Sequence, residues 1–382
     1  RVKNQEDKVA IFHKDNPKEP ISQWWESIDP AGLLQGESEY YIAQNDENEC
    51  AIFHINNPNK PISQWWHRIK QHGLIKGQSE YYMVYFNSKY AIFHKDNPEQ
   101  PISQWWDKIY EDGCLKGESD YYIVKNQEKQ YAIFHINNPY EPISQWQNYI
   151  YSDEFLKGES EYYIVQNHNS QKAIFHKDNP YNPISQWWDS IDKNGLIKGQ
   201  SDYYIVYLNR KYAIFHKDNP YEPISNWHNH IFPLGLINNT SEYYAIYDYE
   251  NSVAKVYHCT NNTQPLYELP NVYRNGLLYL TDDFALYLTK QHLIMYDVRK
   301  MQHYVISKLP QDMKTILNRK YRGNPLYDIN TEQTYQLINK FLSDNFIPIV
   351  ARCKTNTDQY IYLFNVNGEY IGEFKDKKDM VD

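Results

Sequence analysis

One tetrapeptide recurs along the chain at almost constant spacing and constrains the fold more than any other feature. Ala-Ile-Phe-His begins at six positions that are 40 or 41 residues apart: Ala10, Ala51, Ala91, Ala132, Ala173 and Ala213. Each copy is followed by Asn-Pro, Pro-Ile-Ser-x-Trp, Gly-Leu or a variant, and Ser-Asp/Glu-Tyr-Tyr. These six copies fill residues 1–246. Such a period predicts a repeat protein in which each unit packs mainly against its neighbours.

The remainder of the chain departs from this pattern in two steps. Residues 247–300 keep the order of strand, Asn, Pro and Gly-Leu, so we interpret them as a degenerate seventh repeat that merges into a cap. Residues 301–382 predict a small α+β segment, with a helix near Leu337–Leu342, a hairpin turn at Asn367-Gly368 and a disordered charged tail. This segment is either a cap or a separate domain, and the sequence does not decide between them.

Each repeat predicts a hairpin followed by a helix. Runs such as YYIV and YAIFH, joined by polar linkers, are typical of paired strands. In the third copy Ile102, Trp105, Trp106 and Ile109 have the spacing of one helix face, with Ser103 as an N-cap and Gly113 as a C-terminal cap. We therefore expect an α+β fold of ~41-residue ββα repeats, six clear and one degenerate, stacked as a solenoid-like array. An open solenoid and a closed ring both fit this pattern.

The Trp-Trp pair differs between repeats at its second position. The first tryptophan is present in all six copies, whereas the second is replaced by Gln147 and His228 in two of them. A site that accepts Gln and His needs partners for their polar groups. We therefore expect the first tryptophan in the core and the second at a partly solvated edge.

The sequence contains none of the common catalytic or cofactor motifs. There is no GxSxG, no HExxH, no glycine-rich phosphate loop and no paired Cys-His zinc pattern. The four cysteines form no CxxC motif, so we expect free thiols rather than disulfides or a metal site. Near-identical repeats also suit catalysis poorly, because an active site needs different residues that converge once. We expect no enzyme activity, no cofactor and no metal.

Charge and hydropathy restrict the partners and the location. The net charge of −9 argues against nucleic acid as a partner, since such proteins usually present a basic surface. No apolar run reaches the ~18 residues that span a membrane, and the N-terminal residues lack a stretch of signal-peptide length. We expect a cytoplasmic protein with no membrane partner, although a processed N-terminus would hide such a stretch.

Aromatic residues are the candidate partner-binding residues. The chain has 38 tyrosines and 10 tryptophans, and both residue types are enriched at interaction surfaces. Because neighbouring residues of a strand point to opposite faces, one tyrosine of each pair should point outward. The predicted binding stripe consists of the second tryptophan and the second tyrosine of the repeats: Trp25, Trp66, Trp106, Trp188, Tyr41, Tyr82, Tyr122, Tyr163 and Tyr204. For the recurrent His and Asn residues we favour structural roles in closing the strands and turns.

These observations favour a non-enzymatic protein-binding array. An acidic, aromatic-rich repeat protein is suited to neutralise a basic protein partner, in the manner of a bacterial toxin-immunity protein. The abundance of Asn, Lys, Tyr and Ile is typical of low-GC bacterial genomes. The alternative is a multivalent glycan-binding protein, similar to a lectin, with one aromatic site in each repeat.

Overall fold

The computed structural model describes residues 1–272, 276–289, 292–308, 351–354, 359–364 and 370–375. Two compact bodies divide the chain. The first body comprises Arg1–Gly199 with Lys217–Tyr221, and the second comprises Gln200–His216 with Glu222–Asp382. In both bodies the described secondary structure is built of small antiparallel sheets.

The first body contains two small two-stranded sheets followed by four three-stranded sheets, each of these four built around one hairpin. The two small sheets pair Val2–Lys3 with Val9–Ala10 and Phe12–His13 with Asn16–Pro20, and we count them together as the first sheet. The second sheet has Ser27–Ile28, Tyr40–Gln44 and Cys50–His54, and the third has Arg68–Ile69, Tyr81–Phe86 and Lys89–His94. The fourth sheet has Lys108–Ile109, Tyr121–Lys125 and Tyr131–His135, and the fifth has Tyr149–Tyr151, Tyr162–Gln166 and Lys172–His176. A further short strand, Ser190–Ile191, follows the fifth sheet.

The second body continues the same kind of unit. Its first hairpin pairs Tyr203–Leu208 with Lys211–His216. The next two sheets have four strands each: Ile231–Phe232, Tyr243–Asp248, Val253–His258 and Tyr267–Leu269, then Leu277–Leu280, Phe284–Leu288, His292–Asp297 and Gln302–Lys308. A last sheet consists of Ala351–Lys354, Gln359–Phe364 and Tyr370–Lys375. The turn predicted at Asn367-Gly368, the helix predicted near Leu337–Leu342 and most of the charged tail lie outside the described residues.

The segment that was predicted as the helix of each repeat is extended, so the ββα prediction is wrong. In the third repeat Ile102 donates its amide to the Ile92 carbonyl (2.8 Å), and Trp106 and Tyr90 exchange two backbone hydrogen bonds (2.9 and 2.7 Å). The Pro-Ile-Ser-x-Trp-Trp segment therefore lies along the free edge of the Ala-Ile-Phe-His strand. Each central repeat is thus an all-β unit with four antiparallel segments rather than a hairpin with a helix.

The serine of the Pro-Ile-Ser motif fixes this edge pairing. Ser103 Oγ accepts the Ile92 amide (2.9 Å) and donates to the Gln104 carbonyl (2.9 Å), and the equivalent bonds form in all six repeats. The side chain satisfies a backbone donor that would otherwise be buried without a partner. Ser103, expected as a helix cap, is therefore a strand-pairing residue and is buried.

The described helices are short and lie at a different place from the predicted ones. Four are 3-10 helices, Gly32–Gln35, Gly73–Lys76, Gly113–Lys116 and Gly195–Lys198. In the fourth repeat, where Glu154 replaces the glycine, the same segment is an α-helix, Asp153–Leu156. Gly113 therefore begins a helix and does not cap one. Within the described residues, no helix has the length and apolar character needed to cross a membrane.

Side chains alternate between the two faces of each hairpin, and both faces are buried in the first body. Tyr82 and Phe93 of the third sheet pack against Ile42 and Ile52 of the second sheet. Met83 and Ile92, which point the other way, pack against the fourth sheet around Tyr122 and Phe134. The first body is therefore a face-to-face stack of sheets in chain order, and most of its stability must come from contacts between neighbours.

Candidate functional site

A histidine closes the Ala-Ile-Phe-His strand of each repeat and orders the turn that follows. His94 Nδ1 accepts the backbone amide of Asp96 (3.2 Å), which places the ring proton on Nε2, where it is donated to Glu80 (3.2 Å). The Tyr81 ring packs edge-on against this imidazole, at a centroid distance of 5.2 Å. The amide contact recurs in most repeats, and His258 has it in the segment that was predicted to be a degenerate seventh repeat. The geometry supports a structural role for these histidines.

Among the residues that the structure describes, two clusters bring three potential metal ligands together, one in each body. Glu80, His94 and Asp96 form the first, but the Lys95 ammonium already lies between its two carboxylates at 3.2 and 2.9 Å. Glu242, His258 and Cys259 form the second cluster. His258 is hydrogen-bonded through both ring nitrogens, to Glu242 (2.9 Å) and to Thr260 Oγ1 (2.8 Å), and burial raises the pKa of the Cys259 thiol. We interpret both clusters as structural.

The tyrosines of the predicted binding stripe lie in the core. Tyr41, Tyr82, Tyr122, Tyr163 and Tyr204 are completely buried and stack on the phenylalanine of the neighbouring strand. Burial raises the pKa of the Tyr41 hydroxyl to about 12 and shifts the other four in the same direction. In this structure these five rings present no surface to a partner. The outward tyrosine of each pair is the first one, which is half-buried against the histidine.

The tryptophans of the predicted stripe lie between neighbouring sheets. The Trp66 ring centroid is 5.2 Å from that of Phe93 and 5.9 Å from that of Trp105, and both partners belong to the next sheet. Trp25 and Trp106 make the equivalent contacts with their next sheets. We expected the first tryptophan of each pair to be more buried than the second, and this expectation is wrong. Trp188, the second tryptophan of its pair, is only 5% exposed, whereas Trp24, the first tryptophan of its pair, is 36% exposed.

The most exposed aromatic residues of the first body lie on the Asn-Pro turns. Tyr140, Tyr181 and Tyr221 directly follow the Asn-Pro dipeptide in three consecutive repeats, and their side chains are 73%, 69% and 76% exposed. The first three repeats have Lys18, Asn59 and Glu99 at the same position. We call Tyr140, Tyr181 and Tyr221 the turn tyrosines. They were absent from the predicted stripe, although a position that accepts Lys, Asn and Glu already indicates exposure to solvent.

Glutamine side chains connect the turns of successive repeats. Gln186 Nε2 donates to the carbonyl of Pro220, which directly precedes Tyr221 (3.2 Å). In the earlier repeats Gln23 contacts Asn59 (3.2 Å) and Gln64 contacts Glu99 (2.9 Å) in the same way. The turn of one repeat thus lies beside the Pro-Ile-Ser-Gln segment of the repeat before it. In the first body the turns therefore form one row, and the turn tyrosines occupy one end of it.

Comparison with known proteins assigns no family to this chain. No protein-family model and no curated protein sequence matches it. Similar solved structures include a eukaryotic initiation factor (TM-score 0.35, 10% identity, 92% of this chain and 78% of that chain covered). Others are Hsv2 of Kluyveromyces lactis (0.28, 10%, 72% and 95%) and the C-terminal WD40 domain of Sif2 (0.28, 6%, 59% and 68%). Similarity at this level supports no inference about function, so the function is argued from the chain's own residues.

Proposed function

We propose that this chain is a non-enzymatic tandem-repeat scaffold that binds one protein partner across several repeats through the row of Asn-Pro turns. The observation that carries this proposal is the exposure of the three turn tyrosines at equivalent positions of consecutive repeats. Exposed tyrosines supply large contact areas at a low cost in side-chain entropy. A partner that contacts several repeats at once gains affinity from each additional contact.

Charge on the same turns supports a basic partner. Glu141, Asp178 and Asp218 lie within three residues of the turn tyrosines in sequence, and the chain as a whole carries a net charge of −9. Carboxylates at the rim of an aromatic surface steer a cationic protein toward it and raise the association rate. Neutralisation of a basic protein, in the manner of an immunity protein, is the most specific function that this surface supports.

The turn tyrosines can be removed with little risk to the fold. In the triple variant Tyr140→Asn, Tyr181→Asn and Tyr221→Asn, each new residue is the one that Asn59 provides at the same position of the second repeat. We expect an unchanged circular dichroism spectrum and at least about a tenfold loss of affinity for the copurifying partner, because exposed aromatic residues often dominate binding energy. The measurement is capture from the native host, identification by mass spectrometry and titration of the purified partner.

A matched variant controls for the loss of an exposed tyrosine as such. Tyr249→Asn removes a 40% exposed tyrosine that lies outside the Asn-Pro turns. The affinity of this variant for the partner should equal that of the unmodified chain. Partner affinity that survives the triple change would reject the proposal. A chain that binds several equivalents of a small sugar, loses them in the triple variant and captures no protein would instead support the glycan-binding alternative.

A further inference from the structure

A second surface of the first body combines tyrosine rings with lysines. It lies where the hairpins of the fourth and fifth sheets end, away from the histidine ends of the strands. Tyr110, Tyr131, Tyr149 and Tyr151 form a continuous chain of rings, with successive centroid distances of 5.9, 5.2 and 4.5 Å. Lys108 Nζ lies 4.3 Å from the Tyr110 ring centroid, Lys125 Nζ 5.3 Å from that of Tyr131 and Lys172 Nζ 4.6 Å from that of Tyr151. We call these seven residues the Tyr–Lys patch.

The three lysines of the Tyr–Lys patch have no acidic partner. Among the described residues no carboxylate oxygen lies within 4.0 Å of the ammonium of Lys108, Lys125 or Lys172, whereas Lys95 and Lys177 pair closely with Glu80 and Glu161. Two acidic residues next to the patch in sequence already have cationic partners: Asp153 binds Lys193 (3.0 Å), and Glu111 binds Lys70 and His72. Burial is the main cause that lowers the pKa of the Lys172 ammonium, and the positive charge of the nearby Lys193 lowers this pKa further. The patch is therefore a local excess of positive charge in an acidic chain.

We infer that the Tyr–Lys patch docks an extended acidic peptide segment of a protein partner. An ammonium held over a tyrosine face keeps its remaining N–H donors for a carboxylate, and such charge-assisted hydrogen bonds are strong. Packed sheets are about 10 Å apart, so an extended segment of about five residues, at roughly 3.3 Å each, spans the two sheets that carry the patch. Single-stranded nucleic acid fits less well, because it needs open aromatic faces for base stacking, and a lysine ammonium already lies over one face of Tyr110, Tyr131 and Tyr151.

This inference is independent of the proposed function, because the two surfaces share no residue. It can be tested with a triple variant built from residues that the repeats already contain: Lys108→Ser, Lys125→Gln and Lys172→Tyr. In other repeats the position of Lys108 is occupied by Ser27 and Ser190, that of Lys125 by Gln44 and Gln166, and that of Lys172 by Tyr90 and Tyr131. A control variant removes three exposed lysines from the first two turns instead: Lys14→Gln, Lys18→Asn and Lys60→Asn.

The probe is a fluorescein-labelled, glutamate-rich peptide of about ten residues, more than long enough for the two sheets, and the readout is anisotropy with the full chain. We expect the unmodified chain to bind it and the patch variant to bind at least about tenfold more weakly, with less dependence on salt. The control variant and the turn-tyrosine variant should bind as the unmodified chain does. No binding to the unmodified chain, or an equal loss in the control variant, would overturn the inference. Tighter binding of an unstructured DNA oligonucleotide, lost in the patch variant, would overturn it in favour of nucleic acid.

Discussion

Replacement of Tyr122 by alanine should destabilise the protein by about 3–5 kcal/mol, as expected for the loss of a large buried aromatic side chain. Tyr122 is completely buried between the third and fourth sheets, where it packs with Met83 and Ile92 and stacks on Phe134 at a centroid distance of 5.7 Å. The cavity would open at the contact between two repeats and would weaken both. The measurement is the urea unfolding midpoint, followed by circular dichroism.

The phenylalanine variant at the same position separates ring packing from hydrogen bonding. The Tyr122 hydroxyl is buried and has no hydrogen-bond partner among the described residues. Tyr122→Phe keeps the ring and removes a polar group that is costly to bury, so we expect the midpoint to stay unchanged or to rise. A large decrease of the unfolding midpoint in the phenylalanine variant, or a small decrease in the alanine variant, would show that this tyrosine does not serve as a core residue.

Gly117→Ala should lower the free energy of unfolding by a similar amount, but for a different reason. Gly117 has φ +69°, and a Cβ atom there would lie 2.1 Å from the Gln78 carbonyl oxygen of the preceding repeat. The left-handed backbone costs a non-glycine residue about 1–2 kcal/mol, and overpacking against rigid backbone typically adds about 1–3 kcal/mol. We expect a total loss of about 2–5 kcal/mol in the unfolding free energy, because the two repeats must move apart.

Gly36 is the matched control for this experiment. It occupies the equivalent position of the first repeat with φ +75°, but a Cβ atom there would meet nothing within 4 Å. Gly36→Ala should therefore cost only the backbone term of about 1–2 kcal/mol. Equal losses of unfolding free energy in the two alanine variants would mean that the close approach of neighbouring repeats is not the reason why glycine is needed at position 117.

The hairpins could be predicted from the sequence, whereas the segment after them could not. Alternating aromatic and β-branched residues identify strands such as Tyr121–Lys125 and Tyr131–His135, and the structure forms them. The apolar spacing of Ile102, Trp105 and Trp106 matches a helix, but the backbone of this segment is needed to pair the free edge of the preceding strand. Local periodicity carries no information about that edge, and Ile, Ser and Trp are only moderate helix formers.

For the candidate site, the type of residue could be predicted from the sequence, but the positions of those residues could not. Aromatic residues were expected to carry binding, yet Tyr41 and its equivalents lie in the core because both faces of each hairpin are covered. The recurrence of an aromatic residue in every repeat indicates packing, since each repeat must bury the same contact. The turn tyrosines occur at a position that varies between repeats, and such positions are free of core constraints. Variation among the repeats would thus have identified the exposed aromatic residues.

The most direct test of the proposed function is site-specific photo-crosslinking in the native host. A photoreactive phenylalanine analogue is placed at position 140, 181 or 221, and, as controls, at positions 86 and 249, where exposed aromatic residues lie outside the Asn-Pro turns. If the turn tyrosines bind one partner across several repeats, all three positions crosslink the same protein, which mass spectrometry identifies, and the two controls yield little of it. Three different proteins, no adduct at all, or equal adducts at the control positions would contradict the proposal.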